Sequence, residues 1–246
     1  GHTWDAGKIT KEAACETKGA KTYTCETCKK TRTEEIPALG HKFGAWVTTS
    51  QADVLSSAKQ TRICTVCGKK EQRNYGSRLR GTMTVNVSSI PLKTRQKTSV
   101  LKVTGLARGD SITSWKSSNT KVVKVTGRAN GTCRITAGNK TGKAKITITL
   151  RSGLQKTVNV SVQKSTVKTK KISGVARTLR LNRKQKATLK PVRSPLTSTE
   201  KITYKSSNSK VASVNSKGQI TAKKKGTTII TVKSGKKTVK CKVTVK

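Results

Sequence analysis

Aromatic residues make up only 3% of this 246-residue sequence, and only 32% of it is hydrophobic. One large core is excluded, although the length leaves room for two or three small domains. No apolar run approaches a membrane span and no signal peptide is visible, so membrane insertion is not expected. Acids are scarce as well: 10 against 54 Lys and Arg, a formal net charge of +44. Residues 1–80 hold 15 basic and 8 acidic residues, a net of +7; residues 81–246 hold 39 and 2, a net of +37. Such a field draws polyanions from a distance and is weakened by salt. Histidine occurs twice, and Asp110 and Glu200 are the acids of the long basic stretch. No carboxylate pair and no nucleophile–base–orienter set can be drawn from these, so catalysis is not expected.

Low hydrophobicity with high charge also admits disorder. The apolar residues argue against it, because they alternate. Val, Ile and Thr are frequent and turn residues are scattered throughout, a pattern of many short strands. The expected fold class is all-β: two β-sandwiches over 81–163 and 169–246, a linker at 164–168, and a small cysteine-containing β-rich region over 1–80.

Seven cysteines do not pair evenly, and five of them, from Cys15 to Cys67, lie in the opening region. The run Gly1-His2-Thr3-Trp4 recurs loosely as Gly40-His41-Lys42-Phe43, and Cys25-x-x-Cys28 recurs as Cys64-x-x-Cys67. His2 stands as far ahead of Cys25 as His41 stands ahead of Cys64. Two degenerate copies of one unit explain this. Each copy reads as two short strands around a knuckle and is too poor in apolar residues to fold on packing alone. The sequence also opens inside what reads as a repeat, which points to a piece of a longer protein.

CxxC with an upstream His and a further Cys is metal-ligand spacing, and zinc takes thiolate and imidazole tetrahedrally. His2, Cys15, Cys25 and Cys28 make a full set. His41, Cys64 and Cys67 make an incomplete one, with Val54 where Cys15 would align and Asp53 beside it as a candidate fourth ligand. Two other partitions stand open: one four-sulfur site joining both CxxC pairs, and disulfides, which an extracellular setting allows. The expected role of zinc is structural.

Beyond residue 81 the alternation is regular: Met83, Val85, Val87; Ile146, Ile148, Leu150; Val158, Val160, Val162; and Val239, Cys241, Val243, Val245. The two halves share a signature, Trp115-Lys116-Ser117-Ser118-Asn119 and Tyr204-Lys205-Ser206-Ser207-Asn208. About seven short strands in about 80 residues describe a β-sandwich. Trp115 and Tyr204 are expected as central core aromatics, and Cys133 and Cys241 as buried thiols. Outward-facing Lys240 and Lys242, with Lys223, Lys224, Lys225, Lys236 and Lys237, are the candidate polyanion-binding residues.

On Trp115-Lys-Ser-Ser-Asn, Tyr204-Lys-Ser-Ser-Asn, Val211-Ala-Ser-Val214, Gly218-Gln-Ile-Thr-Ala222 and Gly226-Thr-Thr-Ile-Ile-Thr-Val232, the pair of modules resembles group 2 bacterial immunoglobulin-like domains. Residues 126–140 depart from that pattern in a longer hairpin. The opening units resemble cysteine-bearing repeats that accompany such domains in surface proteins of Gram-positive bacteria. The resemblance implies a secreted or cell-wall-associated protein acting as a stalk, an adhesin module or an accessory module. The expectation is a structural and adhesive module whose basic faces bind wall teichoic acid, acidic glycans or a host surface. The alternative is an accessory or wall-targeting region of a larger secreted enzyme. A third reading, a nonspecific nucleic-acid binder, is permitted by charge but lacks stacking aromatics and a recognition helix. Specific nucleic-acid recognition is not expected.

Overall fold

The computed structural model describes residues 1–246, and every regular element in it is a strand. The chain divides into two compact units, Gly1–Arg80 and Gly81–Lys246.

The first unit holds two three-stranded antiparallel sheets. One is built from β1 (Lys8–Lys11), β2 (Gly19–Thr24) and β3 (Thr31–Ile36); the other from β4 (Val47–Ser50), β5 (Ala58–Ile63) and β6 (Lys70–Tyr75). The two repeats keep one constant offset, the same from His2 to His41 as from Cys25 to Cys64. Arginines interleave with the few aromatics where a core would lie. Arg32 stacks between Trp4 and Tyr23, Arg62 sits over Phe43 and Trp46, and Arg73 over Trp46. Such stacks are worth about 0.5–1 kcal/mol each at exposed sites. They do not replace an apolar core. The buried hydrophobic residues here are Cys15, Cys25, Val54, Ala58 and Cys64.

The second unit runs through β7 (Thr84–Val85), β8 (Ser89–Lys93), β9 (Lys97–Thr98), β10 (Val103–Thr104), β11 (Ile112–Ser117), β12 (Val123–Gly127), β13 (Cys133–Ala137), β14 (Gly142–Leu150) and β15 (Gln155–Gln163). It continues with β16 (Lys171–Ser173), β17 (Thr178–Leu181), β18 (Lys186–Thr188), β19 (Val192–Ser194), β20 (Ile202–Ser206), β21 (Ala212–Val214), β22 (Gln219–Ala222), β23 (Gly226–Ser234) and β24 (Lys237–Val245). The sheet β11-β14-β15-β8 faces the sheet β12-β13-β9, and the sheet β17-β24-β23-β20 faces β18-β22-β21. In each case the strand next to the long hairpin's second arm runs parallel to it, β8 to β15 and β17 to β24. This is a tandem pair of immunoglobulin-like sandwiches.

Each sandwich has its own core. Ile90, Leu92, Leu101, Ile135, Ile146, Ile148 and Val158 fill the first; Ile220, Ile230, Val232, Cys241 and Val243 fill the second. Trp115 and Tyr204 do point inward but are only partly buried, a correction to the expectation of central core aromatics. The reason is their strands: β11 and β20 are edges of their sheets. There each ring lies on a glycine, where a Cβ on Gly127 would come within 2.0 Å of Trp115 and one on Gly218 within 2.8 Å of Tyr204. Cys133 and Cys241 are buried, 4% and 0% exposed. The sandwiches touch through a loop of the second: Gln96 Nε2 donates to the Thr197 carbonyl at 2.9 Å, and Thr197 Oγ1 donates to the Pro91 carbonyl.

Candidate metal centres

Each CxxC lies on a tight knuckle. The Lys29 and Gly68 N–H groups donate back to the Cys25 and Cys64 carbonyls at 3.0 and 2.9 Å, and the Cys25 and Cys64 N–H groups donate to the Lys30 and Lys69 carbonyls, each at 2.8 Å. The turn needs a left-handed residue after the second cysteine. Gly68 supplies it freely at φ 74°, whereas Lys29 adopts it at φ 56° against its Cβ. Isolated bridges from Trp4 to Cys25 and from Phe43 to Cys64 lay each histidine-bearing segment beside its knuckle. His2 Nδ1 thus comes to 3.2 Å from Cys28 Sγ, and His41 Nδ1 to 3.3 Å from Cys67 Sγ.

Two clusters result, each with all its ligand atoms within 4.8 Å of one another: His2, Cys25 and Cys28; and Cys15, His41, Cys64 and Cys67. This reverses the allocation of Cys15. Its thiol is 3.9 Å from Cys64 Sγ and belongs to the second centre, not to His2, Cys25 and Cys28. The cause is the tip between β1 and β2, whose backbone is held from outside its own hairpin. Leu39 N–H donates to the Ala14 carbonyl at 3.0 Å, and Gly40 N–H to the Cys15 carbonyl at 3.1 Å. Leu39 and Gly40 lead straight into His41, so the tip is fixed where the second centre forms.

Asp53 is not drawn in; its carboxylate accepts from the Leu55 and Ser56 N–H groups, both at 2.7 Å, and so closes a local turn. The four-sulfur partition also fails, since the two CxxC pairs fall in separate clusters. None of the seven cysteines is disulfide-bonded.

Both centres can hold a metal ion, and the second brings together four ligand atoms, the number a closed tetrahedral site needs. Ligands at zinc's bond lengths put two sulfurs about 3.8 Å apart, and a sulfur and a nitrogen about 3.5 Å apart. The Cys15–Cys64 and Cys67–His41 separations, 3.9 and 3.3 Å, are close to these. His41 is oriented from behind: its Nε2 meets Glu16 Oε1 at 3.0 Å, and Lys69 Nζ also donates to that oxygen. A carboxylate on the distal nitrogen fixes the tautomer that leaves Nδ1 for metal. Glu16 was not singled out from sequence; its place beside Cys15 was the available signal.

The thiols divide. Burial, with hydrogen bonds from Cys67 and Cys64 behind it, pushes Cys15 up to about 11. At Cys64 burial works the other way from the outcome: the Cys67 and Val66 N–H groups and His41 outweigh it and bring the thiol down to about 6. The Cys28 N–H, with further help from His2, brings Cys25 to about 6. Glu16 raises His41 to about 9.

The candidate polyanion residues are all exposed, but register scatters them. Lys240 and Lys242 lie on the outer face of β24; Lys223, Lys224 and Lys225 lie before β23, and Lys236 and Lys237 at the β23–β24 turn. The two turns are a nine-residue strand apart, about 27 Å. Other cations join Lys240 and Lys242 instead. Lys205, Thr231 and Lys240 line up across three strands, and Lys233 and Arg180 share the outer face. Lys205 and Lys240 are about 9–10 Å apart by strand spacing.

Residues 200–246 match a family model described as a bacterial Ig-like domain. No curated protein matches the chain significantly. Among solved structures, the chain is similar to the surface layer protein SbsC, domains 1–6, at 16% identity and TM-score 0.27, covering 100% of this chain and 35% of that one. It is also similar to SbsC domains 4 and 5, at 19% identity and TM-score 0.30, covering 80% of this chain and 94% of that one. To invasin, a bacterial integrin-binding protein, the values are 15% and 0.24, covering 93% and 65%. The chain thus spans about a third of the SbsC domains 1–6 structure. At these values the structural likenesses add nothing to the architecture described, and the family match applies to the second sandwich alone.

Proposed function

We propose that this chain is a non-catalytic structural and adhesive module of a bacterial surface or secreted protein, working outside the cell. Its basic sandwich faces bind anionic polymers, wall teichoic acid or acidic glycans, and its opening repeats are zinc-stapled. The carrying observation is an uncompensated charge. Residues 81–246 hold 39 cations, yet every ion pair in the chain lies within residues 1–80. The two acids of the sandwiches are engaged by hydroxyl and backbone N–H donors rather than by cations. Asp110 accepts from the Ser152 hydroxyl and N–H, at 2.7 and 3.1 Å, and Glu200 accepts from the Thr169 N–H at 2.6 Å. Burial disfavours the Asp110 charge, but the Ser152 and Ser111 hydrogen bonds outweigh it and hold the carboxyl below its usual range. These two carboxylates brace strand ends, and both histidines lie in the cysteine clusters. The match of residues 200–246 to a bacterial Ig-like model supports a surface setting. No helix is long and apolar enough to cross a membrane.

The test is binding of purified chain to teichoic acid, a heparin-like glycan and DNA across a salt series. Affinity should fall steeply toward 0.15 M salt, where screening tightens to about 8 Å. The double change Lys240→Gln/Lys242→Gln should weaken it. Undetectable binding to all three at low salt contradicts the reading. DNA bound as tightly as teichoic acid would favour the nucleic-acid alternative. Elemental analysis of chain purified without chelator checks the zinc.

A further inference from the structure

Among the differences between the two hairpin tips, one adjacent pair of positions bears on the metal centre. The first carries Cys15 and Glu16; at the matching positions the second carries Val54 and Leu55. The first tip is a donor. It gives a thiol to the His41 centre and a carboxylate that engages both His41 Nε2 and Lys69. The receiver consists of His41, Cys64, Cys67 and Lys69.

The first repeat presents a receiver of the same kind. His2, Cys25 and Cys28 correspond residue for residue, and Lys30 stands where Lys69 stands, its carbonyl holding the knuckle in the same way. What differs is the donor's share. This cluster has three ligand atoms where the other has four, and Lys30 forms no ion pair whereas Lys69 has Glu16. The second tip is the converse case. Val54 is buried where Cys15 is buried, and Leu55 is 41% exposed where Glu16 would be. No receiver follows it: Leu39 and Gly40 lead into His41, but Leu79 and Arg80 lead into Gly81. The Cys–Glu tip occurs where a receiver follows, and Val–Leu where none does.

We infer that the His2–Cys25–Cys28 centre takes its fourth ligand as a cysteine thiolate from a further copy of this hairpin tip, so that the metal joins one repeat to the next. The glutamate beside that cysteine engages His2 and Lys30. The inference rests on the reading of these clusters as metal centres. Cys15 of this chain is not the donor, because it is 6% exposed and already set against Cys64. A thiolate fits better than a neutral ligand because it reproduces the one-nitrogen, three-sulfur set of the His41 centre.

Cobalt(II) in place of zinc reports each metal–sulfur bond as a thiolate-to-metal charge-transfer band. In the full chain with Cys15→Ser, Cys64→Ser and Cys67→Ser, only the His2 centre remains. A second chain carries the same three serines and has residues 1–39 duplicated ahead of Gly1, with serine at both knuckle cysteines of the added copy, so that the copy can only donate. Its band should exceed the first chain's by about half, two sulfurs becoming three. Replacing the donor cysteine with serine should abolish the increase. A donor supplied instead as a separate full chain (Cys25→Ser, Cys28→Ser, Cys64→Ser, Cys67→Ser) distinguishes a second molecule from a repeat in the same one. A response in either arm supports the inference. No response in either, while the unaltered chain binds cobalt at its His41 centre, overturns it alone. No cobalt at the His41 centre overturns the metal reading and this inference together.

Discussion

Between Gly1 and Arg80 the buried hydrophobic residues are two small aliphatic side chains, Val54 and Ala58, and three thiols, Cys15, Cys25 and Cys64. Between Gly81 and Lys246 they form two aliphatic clusters around Ile146 and Ile230. The strands of both regions obey the same alternation. What holds them differs, because a sandwich offsets chain entropy by burying two faces against each other, and a lone three-stranded sheet cannot. On the reading of its clusters as metal centres, the first region concentrates its stabilisation in a few atoms; the second distributes it. Each should therefore fail under conditions the other survives.

The largest expected effect is Cys64→Ser. Removing a ligand of the closed centre forfeits much of a binding free energy on the order of 10 kcal/mol, and with it the fold of the second repeat. Metal content should drop and the thermal transition of the sandwiches should stay in place, as calorimetry can show. Ile230→Ala is the reciprocal variant. Ile230 is 0% exposed, so about 2–5 kcal/mol should be lost from the second sandwich with metal content unchanged. Glu16→Gln is milder. Metal affinity should fall about 10–100-fold, since His41 loses its charged partner while Cys15 still reaches the centre. A Glu16→Gln chain with native affinity would show that the carboxylate only decorates the site.

Acid should separate the regions without any substitution. Cys64 and Cys25 sit at about 6, below their ordinary 9, so the thiolates that metal needs are lost as pH falls through that range. The first region should bind metal progressively more weakly as pH falls through and below about 6, and should unfold once the metal is released. In the sandwiches Asp110 is held below its ordinary 3.8. A depressed carboxyl contributes stability that is complete above the unfolded value and is lost only as pH falls through the folded one. The first sandwich should keep that contribution to about pH 4. Circular dichroism beside a metal indicator, titrated together, reads both.

Much of this was legible in the sequence. Alternation marked the sandwich strands, and the equal spacing of His2 to Cys25 and His41 to Cys64 paired each histidine with its own knuckle. Cys15 was misplaced because ligands were sought within one repeat. Spacing along a chain does not reveal that Leu39 and Gly40 hold a neighbouring tip. The paired replacement of Cys15–Glu16 by Val54–Leu55 carried that information, but its meaning depends on knowing which centre the tip faces. The spatial grouping of the candidate polyanion lysines is likewise hidden in the sequence. Lys223 and Lys236 are close in sequence yet lie at opposite ends of a nine-residue strand, while Lys205 and Lys240, far apart in sequence, share a row. Trp115 and Tyr204 were correctly aimed inward, but edge position is a property of sheet order, which alternation does not encode.

The central claim is that metal holds the first region and apolar packing the second. Hydrogen exchange followed by mass spectrometry, with and without chelator under reducing conditions, tests it most directly. The account predicts that β2 and β5 lose protection when metal is withdrawn, while β14, β15, β23 and β24 exchange as before. Unchanged protection of β2 and β5 after chelation, in protein shown to have lost its zinc, would contradict it.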